Sequence, residues 1–149
     1  MALTAEQIRA ATIRLFAASD SACFSEFTLK SGRRMDLICL SRSGVISAVE
    51  IKSSVADFRA DEKWSAYLDW ADYFYFAVSE DFPLDILPDP EQAGIIITDG
   101  FEAVFHRAAP HKKLAVARRN SLTRQIAMRA MRRATTLSGQ DDPLQSLKK

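Results

Sequence analysis

The chain has 149 residues, 48% of them hydrophobic and 26% charged, and a formal net charge of +1. That length predicts one domain and that apolar fraction a packed core, which excludes a chain disordered throughout. The most apolar run, Tyr73 to Val78, is far short of the roughly 20 residues a membrane-crossing helix needs.

The small net charge hides a division. Residues 1–105 carry nine Lys and Arg against seventeen Asp and Glu, a charge of −8, and residues 106–149 carry eleven against two, a charge of +9. An acidic body with a basic tail calls for an anionic partner, nucleic acid first. The first six residues lack the basic head and apolar segment of an export signal, and Cys23 and Cys39 lie in apolar stretches. Both features predict a cytoplasmic protein with reduced thiols.

In chain order, the first element is a helix over Ala5–Ala18. Thr4 and Gln7 are placed for a capping box, and Ile8, Ala11, Leu15 and Ala18 form an apolar stripe. Strands follow over Cys23–Lys30, Arg34–Leu40 and Val45–Ser53. The last two form a hairpin through Arg42-Ser43-Gly44, with glycine at the left-handed third position. A helix is expected over Val55–Ala71, with Phe58, Trp64, Tyr67 and Leu68 toward the sheet. Tyr73–Ser79 reads as a central strand, apolar on both faces. After a proline-rich connection, strands at Gly94–Thr98 and Phe101–Arg107 turn at Asp99-Gly100. A basic helix over Leu114–Leu137 follows, and residues 138–149 read as a flexible tail. The order α-β-β-β-α-β plus additions is a mixed α/β domain over 1–137 with helices on both sheet faces.

The chemistry concentrates on the hairpin. Its three-residue loop makes paired positions sum to 86, so Asp36 lies opposite Glu50 and Arg34 opposite Lys52. Asp36, Glu50 and Lys52 then project from one face, beside Ile38, Leu40, Ile46 and Ala48. Two carboxylates about 5 Å apart at the edge of an apolar surface repel each other and need a cation. Lys52 supplies one charge. Mg²⁺ or Mn²⁺, held by Asp36, Glu50 and the Ile51 carbonyl, would supply the rest and suit phosphodiester hydrolysis. Lys52 would position the attacking water or steady the transition state. The same groups, with Arg34, also read as a cross-strand salt bridge.

Asp36 followed by Glu50-Ile51-Lys52 on the next strand and then a helix resembles the PD-(D/E)xK nuclease superfamily, with Met35 where proline is frequent. The longer strings Glu26-Phe27-Thr28-Leu29, Gly32-Arg33-Arg34-Met35-Asp36, Val49-Glu50-Ile51-Lys52-Ser53-Ser54 and Asp57-Phe58-Arg59-Ala60-Asp61-Glu62-Lys63-Trp64 are similar to the MmcB family of bacterial DNA-repair-associated proteins. So are Asp81-Phe82-Pro83 and Ala117-Arg118-Arg119. The resemblance runs from Leu3 to about Leu137. It implies a restriction-endonuclease-like fold and a role in DNA repair, but not cleavage itself, since such families contain binding modules. Many nucleases of this fold are dimers, which puts a homodimer among the expected partners.

A third acid often completes such sites. Glu26, central in the first strand, is the choice, and Glu6 on the first helix is the alternative. Asp57, Asp61 and Lys63 flank the site, Asp57 also reading as a helix N-terminal acid and Asp61 as a support for Lys63 or Arg59. Trp64 and Tyr67 read as core or as base-stacking rings. Arg118, Arg119, Arg124, Arg129, Arg132 and Arg133 of the basic helix are the candidate phosphate contacts. His106 and His111 lack zinc spacing, and no glycine-rich phosphate loop or small-molecule cofactor motif is present. Three readings stand: a metal-dependent DNA nuclease, a non-catalytic DNA-binding or repair-scaffold protein of the same fold, and a protein-interaction module whose basic helix docks an acidic partner.

Overall fold

The computed structural model describes residues 2–137, so the tail expected over 138–149 lies outside the described residues. The chain forms two compact units that divide between Leu114 and Ala115.

The first unit opens with helix α1, Ala5–Ala18. Its start is the expected capping box: Gln7 N–H donates to Thr4 Oγ1 at 3.1 Å, and Thr4 N–H donates to Gln7 Oε1 at 2.9 Å. The buried stripe is Ile8, Ala11, Thr12 and Phe16, which differs from the expected Leu15 and Ala18. Thr12 can be buried because its hydroxyl donates to Ile8 O at 2.7 Å, leaving no polar atom unpaired.

Six strands follow: β1 Ser21–Thr28, β2 Arg34–Ser41, β3 Ile46–Ile51, β4 Tyr73–Ser79, β5 Gly94–Thr98 and β6 Ala103–Arg107. They lie in one sheet in sequence order. The β1–β2, β2–β3 and β5–β6 pairs are antiparallel, and β3–β4 and β4–β5 are parallel. The β2–β3 turn is the expected one. Ser41 N–H donates to Val45 O at 2.9 Å and Gly44 takes φ 90°, a value that favours glycine. Its register, Leu40 opposite Ile46 through Leu37 opposite Val49, keeps the sum of 86.

One sheet face carries Leu37, Cys39, Val49, Ile51, Ala77 and Ile96 against Ile8 and Phe16 of α1. The other is covered by a short helix α2, Val55–Ala60, and a 3₁₀ segment, Trp64–Trp70. There Phe58, Trp64 and Phe74 all pack on Phe76, with ring centroids 5.2–5.6 Å apart. The continuous helix expected over Val55–Ala71 is therefore two pieces. Asp61 breaks it, leaving helical geometry for φ −90°, ψ 107° so that its carboxylate meets Lys52 and the Lys63 amide. The arrangement is α/β, a mixed six-stranded sheet flanked by helices, consistent with a restriction-endonuclease-like core.

The second unit contains helix α3, Val116–Leu137, two residues shorter at its start than expected. It holds six arginines and no acid. No helix among the described residues is long and apolar enough to cross a membrane.

Candidate functional site

The β2–β3 ladder runs regularly to Leu37 opposite Val49. One residue further, side chains replace backbone. Asp36 N–H donates to Glu50 Oε1 at 3.2 Å, and Ile51 N–H donates to Asp36 Oδ2 at 2.8 Å. Asp36 and Glu50 thus sit opposite one another, each satisfying an amide of the neighbouring strand. Lys52 N–H donates to Ala77 O at 3.0 Å on β4. By strand alternation this turns both the amide and the carbonyl of Ile51 toward β2, the side on which Asp36 lies.

Burial raises the stakes. Glu50 is 6% exposed and Lys52 5%. Glu50 stands in register with Phe76, under the aromatic layer. Desolvation, and next the charge of Asp36, push the Glu50 carboxyl up to about 8, so without a cation it keeps its proton at neutral pH. Asp36 is also raised, first by burial, against the opposing Ile51 hydrogen bond and the charges of Lys52 and Arg9.

Lys52 is not left to the two acids. Its ammonium donates to Asp61 Oδ2 at 2.7 Å, with side-chain exposures of 6% and 16%. Burial alone would raise Asp61, but the bonds from Lys52 and the Lys63 amide hold it below the usual aspartate value. Asp61 therefore serves Lys52 and the Lys63 backbone, rather than the Lys63 or Arg59 side chain.

Beside the carboxylates opens a cleft of about 540 Å³, lined by Ser31, Gly32, Arg33, Arg34, Asp36, Lys63 and Tyr67. Its floor comes from the β1–β2 turn, where Gly32 at φ 89° lets Leu29 N–H reach Arg33 O at 2.8 Å. Tyr67 is the hinge between layers. Its hydroxyl donates to Arg34 O at 2.7 Å, while burial and then the Glu50, Asp61 and Asp36 charges push its own ionisation up to about 12. Three cations around one end of a carboxylate pair is the composition that suits a phosphate backbone.

The structure brings Asp36, Glu50, Lys52, Asp61 and Tyr67 together, with Arg34 and Lys63 on the cleft wall. Asp57 sits in the first turn of α2, its amide donating to the Ser54 cap at 3.0 Å, and its charge reaches Asp36. Trp64 is half-buried and packs on Phe74 and Phe76.

Glu26 does not join. It takes φ 58° and is exposed. Residues three apart on a regular strand face opposite ways, yet Phe24 and Phe27 approach to 5.9 Å, so the chain flips at Glu26. The acid that acts on Asp36 is Asp57, and those that act on Glu50 are Asp36 and Asp61. The alternative, Glu6, is exposed and ion-paired with Arg9.

Arg9 and Arg33 carried no signal of their own in the sequence. Arg9 draws Asp36 down electrostatically from α1, which only packing reveals. Arg33 lies on the cleft beside the better-marked Arg34.

The donor set fits a hard divalent cation: half-buried Asp36 and buried Glu50 each spend one oxygen on an amide, so Asp36 Oδ1 and Glu50 Oε2 are the oxygens that would hold it. No cluster of three His, Cys, Asp or Glu residues stands ready to hold a metal among the described residues. Any such ion would complete its shell with backbone oxygen and water, as Mg²⁺ commonly does.

Among curated proteins none matches the chain. A solved protein of unknown function from Silicibacter pomeroyi is similar to it, with 37% identity over 93% of this chain and 94% of that one, at a TM-score of 0.86. The model of the MmcB-like DNA repair protein family matches residues 2–141, nearly the whole chain, including the carboxylate pair, Lys52 and the cleft. On that match the chain belongs to the MmcB-like family, and its role is associated with DNA repair.

Proposed function

We propose that this protein is a PD-(D/E)xK-type nuclease that hydrolyses DNA phosphodiesters with Mg²⁺ or Mn²⁺ during repair. The observation that carries the reading is the interlocked pair of half-buried Asp36 and buried Glu50 at the end of the β2–β3 ladder, with the charge of buried Lys52 beside it.

The bound cation would acidify a water and screen the scissile phosphate. Asp36 and Glu50 would hold that ion, which requires the Glu50 carboxyl in its ionised form. Lys52, kept in place by Asp61, sets a fixed positive charge against the charge that develops on the phosphate. Arg33, Arg34 and Lys63 grip flanking phosphates in the cleft and hold the DNA in register with the carboxylates. The six arginines of α3, spread over about 22 Å of helix, add affinity that is blind to sequence and sensitive to salt.

A second reading, a DNA-binding repair component that does not cleave, is favoured by one observation: Glu26 stays outside the site, leaving two acids where such sites often have three. The test is incubation with single-stranded, duplex and branched DNA plus Mg²⁺ or Mn²⁺. Cleavage that disappears in Glu50→Ala and Lys52→Ala supports the nuclease. Cleavage that persists in them marks a contaminant, and salt-sensitive binding without cleavage supports the second reading.

A further inference from the structure

Cys23 and Cys39 are directly opposed across β1 and β2. The face they occupy is the α1 face, away from the carboxylates, and the proposed hydrolysis uses neither thiol. Both are free cysteines. Arg42 N–H donates to Asp20 O at 3.2 Å, and Ser41 N–H donates to Val45 O on the other side. Even-numbered residues of β2 therefore turn their amides to β1 and odd-numbered ones to β3. This makes Cys23–Cys39 a non-hydrogen-bonded pair, the closer kind, with Cα atoms about 4.5 Å apart. That separation lies inside the range disulfides span. The partners differ in access, Cys23 half-buried and Cys39 1% exposed.

We propose that Cys23 and Cys39 are a thiol–disulfide site, oxidised by small disulfides such as glutathione disulfide to an intrachain cross-strand bridge. Cys23, the accessible thiol, loses its proton and attacks one sulfur of glutathione disulfide. A Cys23–glutathione bond forms, the glutathione S–S bond breaks and one glutathione leaves as thiolate. Cys39 then loses its proton and attacks Cys23 Sγ, forming the Cys23–Cys39 bond and expelling the second glutathione. The protein has given up two electrons and two protons, and the glutathione disulfide has been reduced to two glutathiones. Burial keeps the Cys39 thiol well above its ordinary ionisation range, which makes the second step the slower one. The bridge closes residues 24–38 into a loop. That loop contains Arg33, Arg34 and Asp36, so the oxidised form clamps the hairpin on which the cleft is built.

The experiment treats the native full-length chain with glutathione disulfide, quenches with an alkylating agent and maps tryptic peptides without reduction. Peptide 15–30, with Cys23, should appear linked to peptide 35–42, with Cys39, the intact mass falling by about 2 Da and recovering on reduction. Cys39→Ser should stop at the mixed disulfide on Cys23, about 305 Da heavier, and Cys23→Ser should stay unmodified. The inference is overturned if the native chain accumulates the Cys23 mixed disulfide without the linked peptide, if only bridges between chains form, or if both thiols remain alkylatable. Because the native chain supplies the decisive map, poor folding of either variant would not rescue it.

Discussion

The Lys52 ammonium and the Asp61 carboxylate meet at 2.7 Å, both largely shielded from water. Nine residues separate them in the chain, and the break of the second helix is what brings them together. Removing Asp61 leaves a buried cation unpaired next to Glu50. Asp61→Ala should therefore destabilise the body by about 3 kcal/mol, read by urea unfolding. Asp61→Asn, which keeps an acceptor for the ammonium, should recover part of that loss. Equal stability of Asp61→Ala and the native chain would show that the pair is not held in solution.

Glu50 sets a pH dependence of known sign. Its carboxyl ionises near 4.5 in the unfolded chain and near 8 in the folded one. Across that window the folded chain holds the extra proton, so stability falls as pH rises. The metal-free protein should melt at lower temperature at pH 8 than at pH 6, and Glu50→Gln should flatten that slope. Asp61, lowered in the fold, acts oppositely and only in acid, contributing stability that disappears as pH falls below 3.8. A slope that Glu50→Gln leaves unchanged would assign it to another group.

The donor set makes a prediction for metal binding. Calorimetry with Mn²⁺ should show binding that Asp36→Ala abolishes and Glu26→Ala preserves, because Glu26 is exposed with its strand flipped. Loss of binding in Glu26→Ala would return it to the site.

Tyr67 couples the aromatic layer to the cleft through the bond to Arg34 O at 2.7 Å. Tyr67→Phe removes one hydrogen bond and leaves the ring, so it should cost about 1 kcal/mol. It should also weaken DNA binding several-fold by freeing the backbone at Arg34, measured by fluorescence anisotropy.

The arginines of α3 are tested by salt. Converting Arg129, Arg132 and Arg133 to glutamine should lower affinity for duplex DNA. It should also reduce the slope of log affinity against log salt by about 0.9 for each phosphate that the helix no longer neutralises. An unchanged slope would remove this end of α3 from the interface.

The hairpin register was legible because its physics is local. A three-residue loop ending in Gly44 leaves one pairing, and that pairing places Asp36 against Glu50 wherever the hairpin packs. The capping box of α1 is local for the same reason. The stripe beyond it departs from expectation at Leu15 and Ala18, since burial of Thr12 depends on a hydroxyl finding the Ile8 carbonyl, which hydropathy does not register. Glu26 falls outside the site because strand alternation assumes unbroken extended backbone, and a φ of 58° breaks it.

By itself, then, the order of residues determined the fold class, the opposition of the two carboxylates, and the split between an acidic body and a basic helix. Each follows from turn chemistry, periodicity or composition, which act over a few residues. The tertiary structure alone decided the rest. Asp61 reaches Lys52 only because the chain leaves its helix early, Arg9 influences Asp36 only because α1 packs where it does, and Arg33 gains a role only from the cleft around it. These depend on desolvation and charge between segments distant in the chain, and such energies come into being only when the layers close.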